Sequence, residues 1–277
     1  MTALAAAGVV RPPATVFDGY ALDLDGTVYL DDRLLPGAGE AVRRIRASGA
    51  GVVFATNKPL ETAASYAAKL ASLGVPAEAQ DVVTALDSLI RYLRGAHAGA
   101  RLLTIAEPLV DEVCAEAGFD VVADPERADI VLVSFDRGFS YDKLLAAYRA
   151  VRRGAVIVAT NPDPYCPTED GGLPDCAAML AAVEACTGRT AEVVAGKPSR
   201  HMGAALLDRL GVPPGRAAMV GDRLGTDVVM GQTLGMAGVL VLSGTTSVED
   251  LRASAVRPDY VIASLADLLP TVTEGPG

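Results

Sequence analysis

Two aspartates, Asp23 and Asp25, stand at the end of an apolar stretch, in the segment DLDGTVYL. Residues two apart on an extended chain point to the same side, about 6 to 7 Å from each other, so both carboxylates can face one site. Neighbouring carboxylates repel, so they need a cation, a shared proton or contact with solvent. A hard divalent ion such as Mg²⁺ suits oxygen ligands best, and the alternative is a solvated acidic turn.

A second acidic segment, GDRLGTD, follows the apolar run RAAMV and holds Asp222 and Asp227. Asp222 can complete a metal site begun by the first two aspartates. Asp227 stands near the start of the next helical pattern, where it either orients the groups around Asp222 or caps the helix N-terminus. Acidic residues are favoured at helix starts whatever the function, so both interpretations stay open.

Two further residues have side chains suited to an anionic ligand. Lys197, in AGKPSRHM, comes just before a helical pattern and can offset the charge of several carboxylates and a phosphate in a partly desolvated cleft. Thr56 ends the run GVVFAT, where its hydroxyl can donate to a phosphoryl oxygen. The alternatives are an ordinary exposed lysine and an ordinary strand threonine.

Short apolar runs bounded by turns alternate with amphipathic segments along the chain, which is typical of βα units that build a parallel sheet. The fold class predicted from this pattern is α/β. We predict strands in VFDGYALDL, GVVFATN, ARLLTIA, DIVLVSFD, AVIVATN, AEVVAG, RAAMVGD and GVLVLSG. We predict helices in PGAGEAVRRIRASG, ETAASYAAKLASLG, SYDKLLAAYRAVRRG, PDCAAMLAAVEACTG and SRHMGAALLDRLG.

The polar residues named above gather where strands end, and ligands of open α/β sheets bind outside the carboxyl ends of the strands. We therefore expect these separated residues to converge on one crevice. About 140 residues separate Asn57 from Lys197, and they contain a βα pattern of their own. That stretch is long enough to be an inserted second domain.

Composition narrows the class of protein. The 277 residues have a formal net charge of −10, which is the wrong sign for broad nucleic-acid binding. No apolar run reaches the roughly 18 residues of a membrane helix, and the first ten residues lack the basic start of a signal peptide, so we expect a cytoplasmic protein without membrane or nucleic-acid partners. The composition is compatible with a homodimer, although no segment demands one.

The cysteines and histidines do not suggest a metal centre. The four cysteines lack CxxC spacing, and we expect reduced packing thiols rather than a disulfide scaffold. His97 and His201 are the only histidines, and this number argues against a zinc site with several histidines.

The order of these signals is specific: a strand ending in DxDGT, a strand ending in Thr, a Lys before a helix, and a strand ending in GD. In this order the sequence resembles the haloacid dehalogenase superfamily. The segments TNPDPYCPTEDGG and VVAGKPS resemble its subfamily with a type IIA cap, which includes 4-nitrophenyl, pyridoxal, phosphoglycolate and nucleotide phosphatases and NagD-like proteins. The resemblance covers roughly residues 18–269.

The resemblance implies a Mg²⁺-dependent phosphatase acting on a small phosphorylated metabolite. It implies that Asp23 attacks phosphorus to form an aspartyl-phosphate, and that Asp25 protonates the leaving alkoxide and then activates water. It assigns Mg²⁺ to the Asp23 carboxylate, the Asp25 backbone carbonyl and Asp222, with Asp227 supporting them. Thr56 and Lys197 would bind the transferring phosphoryl oxygens.

The resemblance also implies a Rossmann-like core at residues 1–80 and 187–277 with an α/β cap at 81–186. Many relatives read TNNS after the second motif, whereas this chain reads TNKPL, so Lys58 stands beside Asn57 at the expected phosphate site. In the cap, Arg137 either meets a second anionic group of the substrate or pairs with Asp136 or another acid. Asn161 and Asp163 either contact substrate or form only a turn, since Asn-Pro-Asp-Pro is a strong turn signal.

Two other functions remain open at this point. A phosphotransferase or mutase would use the same intermediate with an acceptor other than water, although Asp25 favours hydrolysis. A phosphate-binding regulatory module would have lost catalysis, yet all four motif residues are present. A dehalogenase does not need this acidic set.

Overall fold

The alternating pattern folds as strands and helices in the computed structural model, which describes residues 9–168 and 171–270. The first eight residues and the acidic pair within TNPDPYCPTEDGG, both used in the sequence interpretation, lie outside that description. The strands are β1 (Gly19–Asp23), β2 (Tyr29–Leu30), β3 (Arg33–Leu34), β4 (Gly51–Thr56), β5 (Val82–Thr84), β6 (Arg101–Ile105), β7 (Asp120–Val121), β8 (Ile130–Val133), β9 (Val156–Ala159), β10 (Tyr165–Cys166), β11 (Leu173–Pro174), β12 (Val193–Val194), β13 (Ala217–Gly221), β14 (Ala237–Val241) and β15 (Tyr260–Ile262). The α-helices are α1 (Ala38–Ala47), α2 (Ala63–Ser72), α3 (Ala85–Ala96), α4 (Pro108–Glu116), α5 (Tyr141–Arg152), α6 (Cys176–Thr187), α7 (Arg200–Leu210), α8 (Val229–Thr233) and α9 (Val248–Ala253).

Every strand and helix predicted from the sequence overlaps an observed element of the same type. Helix α1 shows why the periodicity is informative. Its buried residues include Ala38, Ala41, Val42 and Ile45, which follow the spacing of one helical face. The α/β class is confirmed.

The chain divides by its contacts into two compact units. The first holds the described parts of Met1–Ala55, Ala67–Val82 and Leu206–Gly277, and the second holds Thr56–Tyr66 and the described parts of Val83–Ala205. This division assigns residues 187–205 to the second unit, whereas the sequence interpretation placed them with the core. The boundaries of the functional domains stay a prediction.

The first unit is organised around a six-stranded sheet in the order β15-β14-β13-β1-β4-β5. Strand β1 pairs in parallel with β13 and with β4. All five residues of β1 and of β13 are buried, as is usual for parallel strands covered on both faces. From β1 the chain adds strands first on the β4 side and later on the β13 side, so the strand order reverses between β1 and β13. Such a switch point opens a crevice at the carboxyl ends of its strands.

The second unit has its own five-stranded sheet, in the order β12-β9-β8-β6-β7, with parallel pairing throughout. Successive residues of β8 face opposite sides of the sheet. Ile130 and Leu132 pack with residues of α3 and α4, while Val131 and Val133 pack with residues of α5 and α6. Two apolar layers therefore hold this sheet between its helices.

Among residues 9–168 and 171–270, no helix has both the length and the apolar character that crossing a bilayer requires.

Candidate active site

Three aspartates come together in the first unit, where β1 and β13 end. Asp23 is the last residue of β1, and Asp222 directly follows β13. Asp23, Asp222 and Asp227 each offer one carboxylate oxygen, and these three oxygens lie within 4.8 Å of one another. All three residues are buried. The switch point of the sheet thus concentrates negative charge at a place with little solvent.

The carboxylate of Asp222 is held by the loop that follows β14. Thr245 donates its backbone N–H to Asp222 Oδ2 at 2.5 Å, and Thr246 donates its N–H to the Asp222 carbonyl at 3.2 Å. Gly244 lets this loop approach, because a Cβ there would lie 2.1 Å from Asp222 Oδ2. Burial, reinforced by the neighbouring Asp227 carboxylate, raises the pKa of Asp222 above its ordinary value.

Asp227 lies inside the wide helical turn Leu224–Val228 and does not occupy its N-cap position, which is Arg223. Its Oδ2 nevertheless accepts the Arg223 backbone N–H at 3.1 Å. The same carboxylate belongs to the cluster with Asp23 and Asp222. Asp227 is therefore not the N-cap residue itself, but its carboxylate binds the backbone of the N-cap residue and lies beside Asp23 and Asp222.

Asp25 sits in a tight turn just after β1. The Leu24 carbonyl accepts backbone N–H groups from Thr27, Val28 and Tyr29, at 3.2, 2.9 and 3.1 Å, so the chain reverses immediately beyond the aspartates. Asp25 is half-buried, unlike Asp23. Its side chain is not part of the group of three carboxylates found among the described residues.

The acidic cluster fits a hard divalent cation. Its donors are carboxylate oxygens, which Mg²⁺ and Ca²⁺ prefer, and three of them are within reach of a single ion. Burying several like charges is unfavourable unless a counter-charge is present. Burial is the main reason for the raised pKa of Asp222, and repulsion from the Asp227 carboxylate adds to it.

Thr56 is the last residue of β4 and Asn57 follows it, and both belong to the second unit. The residue before them, Ala55, is the register partner of Asp23 in the parallel pairing of β1 with β4. Thr56 is buried, and its Oγ1 accepts the backbone N–H of Lys58 at 3.1 Å. Tyr66 donates its hydroxyl to the Lys58 carbonyl at 2.9 Å, which fixes the loop that carries the half-buried Lys58.

The side chain of Asn57 forms two hydrogen bonds with the backbone of Lys197, an arrangement called the clamp below. Asn57 Oδ1 accepts the Lys197 N–H at 2.7 Å, and Asn57 Nδ2 donates to the Lys197 carbonyl at 3.1 Å. Lys197 is only 3% exposed, and Asn57 is also buried. The structure therefore brings together, within one unit, two residues that lie 140 positions apart.

Asn161 and Asp163, predicted as cap residues near substrate, are both buried and bind Asn57. Asp163 Oδ2 accepts from Asn57 Nδ2 at 2.8 Å, and Asn161 Nδ2 donates to the Asn57 carbonyl at 3.2 Å. Asp163 also donates its backbone N–H to Asn161 Oδ1 at 2.9 Å. Neither sequence alternative, substrate contact or simple turn, had described this support of Asn57.

Arg137 is paired with an acid of its own unit. Its Nη2 lies 2.7 Å from Glu107 Oε2, its backbone N–H also donates to Glu107, and its side chain is 67% exposed. Hydrogen bonding from Arg137 holds the pKa of Glu107 below its usual range. Asp136, the other predicted partner, instead binds Lys143 at 2.5 Å.

A repeated tripeptide could have revealed the link between these segments. The sequence ATN occurs at residues 55–57 and again at 159–161, each time at the end of a strand. The asparagines of the two copies are the residues joined by hydrogen bonding. Asp175, which accepts from Asn161 Nδ2 at 3.4 Å and caps α6, had no such signal.

A parallel α/β sheet with aspartates at its strand ends, interrupted by a second α/β unit, defines a class of enzyme suited to anionic substrates and a divalent cation. The model of the family described as haloacid dehalogenase-like hydrolase matches residues 20–120, and that described as HAD-hydrolase-like matches residues 194–268.

Several known proteins are similar to this chain along nearly its whole length. The sugar-phosphatase AraL of Bacillus subtilis is 33% identical, over 93% of this chain and 94% of its own. Among solved structures, a 4-nitrophenylphosphatase from Thermotoga maritima is 36% identical with a TM-score of 0.85, covering 91% of this chain and 96% of that one. A glycerol phosphate phosphatase from Mycobacterium tuberculosis, in complex with magnesium, is 33% identical with a TM-score of 0.82, covering 91% and 76%.

The chain belongs to the haloacid dehalogenase-like hydrolases, in the phosphatase group with the type IIA cap. It is a phosphoric monoester hydrolase, so the family and the enzyme class predicted from the motifs are confirmed.

Proposed function

We propose that this enzyme is a Mg²⁺-dependent phosphatase that hydrolyses a small sugar phosphate or related phosphomonoester through a covalent intermediate on Asp23. The observation that carries the proposal is the buried cluster of Asp23, Asp222 and Asp227 at the switch point of the sheet. The substrate class follows the names of the relatives, which act on sugar, glycerol and nitrophenyl phosphates.

The cation would be held by the carboxylates of Asp23 and Asp222 and, by the family resemblance, by the backbone carbonyl of Asp25. When bound, a divalent cation offsets the charge between the anionic nucleophile and the anionic phosphate. Asp227 supports this set by its place beside Asp222 and its hydrogen bond from Arg223.

In the first step, one carboxylate oxygen of Asp23 forms a bond to phosphorus and the bond from phosphorus to the ester oxygen breaks. Asp25, in its protonated form, gives its proton to the departing alkoxide. Asp25 suits a group that exchanges protons with substrate and water, because it is half-buried while Asp23 is buried. The product of this step is an aspartyl-phosphate and a free alcohol.

In the second step, Asp25 is a carboxylate. It takes a proton from a water molecule while the oxygen of that water attacks phosphorus. The bond from phosphorus to Asp23 breaks, which restores the carboxylate and releases inorganic phosphate. Two easier displacements thereby replace one difficult one.

We assign the phosphoryl oxygens to Thr56, Lys58 and Lys197, with the Asn57 side chain supporting Lys197 through its backbone. The order of the motifs along the chain supports this assignment, together with the position of Thr56 one residue beyond the register partner of Asp23. A buried lysine is a strong counter-charge for an anion, because the attraction between charges grows as solvent is excluded. This proposal keeps a core at residues 1–80 and 187–277 and a cap at residues 81–186. In the cap, the exposed Arg137 would bind a second anionic group of the substrate.

The test is phosphate release from 4-nitrophenyl phosphate, glycerol phosphate and several sugar phosphates, with and without Mg²⁺, for the native chain and Asp23→Asn. We expect metal-dependent release and a loss of roughly 10⁴-fold or more in the variant, since removing a nucleophile leaves only residual catalysis. The asparagine keeps the shape of the side chain, so circular dichroism should show an unchanged fold.

Two outcomes would contradict the proposal. Release that survives Asp23→Asn would exclude the covalent intermediate on this residue. A folded native chain that binds Mg²⁺ yet releases no phosphate from any ester would favour transfer to another acceptor.

A further inference from the structure

The Asn57 side chain fixes Lys197 at two points. An amide that accepts from the N–H and donates to the C=O of the same residue restrains both position and rotation of that backbone. The lysine side chain leaves from the Cα between those two groups, so its direction depends on the clamp. A displacement of about 1 Å in a group that binds a reacting centre can reduce a rate by about 10²-fold.

Asp163 determines the orientation of the Asn57 side-chain amide. An ionised carboxylate has only acceptors, so it must face the NH₂ end of a carboxamide. With Nδ2 directed at Asp163 Oδ2, at 2.8 Å, Oδ1 is left facing the Lys197 N–H. The reversed amide would set its oxygen against both the carboxylate and the Lys197 carbonyl.

The loop that carries Asp163 is itself secured by hydrogen bonds. The Asp163 backbone N–H donates to Asn161 Oδ1 at 2.9 Å. The Asp163 carbonyl accepts the N–H of Ala177, in the first turn of α6, at 3.1 Å. Asn161 in turn binds the Asn57 carbonyl. Asp163 therefore reaches Asn57 from a backbone held at both its N–H and its C=O.

We propose that Asp163 is a positioning residue for phosphoryl binding: through the Asn57 amide it sets the backbone of Lys197, and it does not recognise the leaving group of the substrate. The inference depends on the assignment of Lys197 to the phosphoryl group made above. It replaces the sequence hypothesis of a substrate contact by Asp163 with a role argued from its hydrogen bonds to Asn57, Asn161 and Ala177, which lie within one unit.

A graded set of variants separates this role from others. Asp163→Ala removes the acceptor and frees the Asn57 amide to turn. Asp163→Asn keeps one acceptor oxygen, so it should restore most of the function. Asn57→Asp sets two carboxylates against each other, and combining it with Asp163→Asn recreates a donor and an acceptor between the two side chains.

The clamp can be observed without turnover. The chain has only four lysines, Lys58, Lys69, Lys143 and Lys197, so selective ¹⁵N-lysine labelling gives four backbone amide signals. We expect the Lys197 amide to exchange its hydrogen at least about tenfold faster in Asp163→Ala than in the native chain. The signals of Lys69 and Lys143, in α2 and α5, serve as internal controls. An unchanged Lys197 signal would overturn the proposal.

The second measurement compares substrates and phosphate. In Asp163→Ala we expect kcat/KM to fall by about 10- to 100-fold, by the same factor for 4-nitrophenyl, glycerol and sugar phosphates. Affinity for inorganic phosphate, measured by calorimetry, should fall in parallel because phosphate has no leaving group. A loss that differs more than about fivefold between esters, with unchanged phosphate affinity, would show a leaving-group contact instead.

Asp136→Ala is the matched control, since Asp136 is also a buried aspartate in this unit, paired with Lys143 rather than Asn57. It should leave the exchange of Lys197 and the phosphate affinity within about threefold of native values. If Asp163→Ala does not fold, the Asn57→Asp variant with and without Asp163→Asn gives the same comparison. If the native chain hydrolyses no ester, the proposed function fails, while exchange and phosphate binding still test the clamp.

Discussion

The two regions that carry the proposed chemistry differ in the surroundings of their charged side chains. In the first unit, Asp23, Asp222 and Asp227 bring three carboxylates together, and burial, reinforced by the neighbouring Asp227, raises the pKa of Asp222. In the second unit, the charge of Asp163 lies within a network of hydrogen bonds that ends on the backbone of Lys197.

This difference shows how each region depends on its surroundings. Asp23 and Asp222 are placed by the ends of paired strands and Asp227 by the helical turn that follows. In the proposed mechanism, a bound cation supplies the counter-charge. The lysine is placed by side-chain hydrogen bonds, which are directional and fail when one member turns. Changes near the first region should therefore alter cation dependence, and changes near the second should alter phosphate affinity.

Of the substitutions that separate the two regions, Gly244→Ala should have the largest effect. The added Cβ would lie 2.1 Å from Asp222 Oδ2, so the carboxylate or the loop must move. We expect activity to fall by about 10²-fold or more and the Mg²⁺ concentration for half-maximal activity to rise. Gly225→Ala, with no atom within 4 Å of its Cβ, is the control and should stay near native. An unchanged Mg²⁺ requirement in Gly244→Ala would contradict the account of the acidic cluster.

Gly196→Ala should have the next largest effect, in the other region. Its Cβ would lie 2.5 Å from Asn57 Oδ1 and 2.7 Å from the Thr160 carbonyl. We expect activity to fall by about 10- to 100-fold with weaker phosphate binding, while the Mg²⁺ requirement stays native. Gly95→Ala, in α3 with no neighbour within 4 Å, controls for adding a methyl group to this unit. If Gly196→Ala changed only the Mg²⁺ requirement, the two regions would not be separable as described.

The smallest effect concerns the cysteines at the two ends of α6. Burial raises the pKa of Cys176 to about 12, so this thiol stays protonated and unreactive at neutral pH, whereas Cys186 is exposed. We expect iodoacetamide at pH 8 to label Cys186 in the folded enzyme with little loss of activity, and Cys176 only after unfolding. Peptide mass spectrometry distinguishes the two sites. Early labelling of Cys176 would show that the helix beside Asp175 opens in the native state.

Much of the fold was predictable because burial imposes periodicity on the sequence. The apolar runs before Asp23 and Asp222 are fully buried strands, and α1 carries its apolar residues on one face. Strand β15 and the two-residue strand β7 were not predicted, because short segments contain too few residues to show a period. Their pairing with longer strands determines them.

The candidate site divides in the same way. The motif DxDGT and the segment GDRLGTD indicate acidic chemistry by themselves, since residue type and position after a strand are local properties. The sequence could not decide between two roles for Asp227, and the structure places its carboxylate both on the Arg223 backbone N–H and beside Asp23 and Asp222. It left Arg137 open between a second anionic group of the substrate and a pairing with an acid, and the structure pairs this residue with Glu107.

The sequence by itself determined the α/β class, the family and the residue types that do the chemistry. The tertiary structure alone decided that Asn57, Asp163 and Lys197 form one network, because side-chain hydrogen bonds across 106 and 140 positions leave no periodic trace in the chain. Local patterns in the sequence indicate which strand or helix a residue belongs to and which residue types follow a strand. The position of a buried lysine is set by the backbone segments that the fold brings beside it.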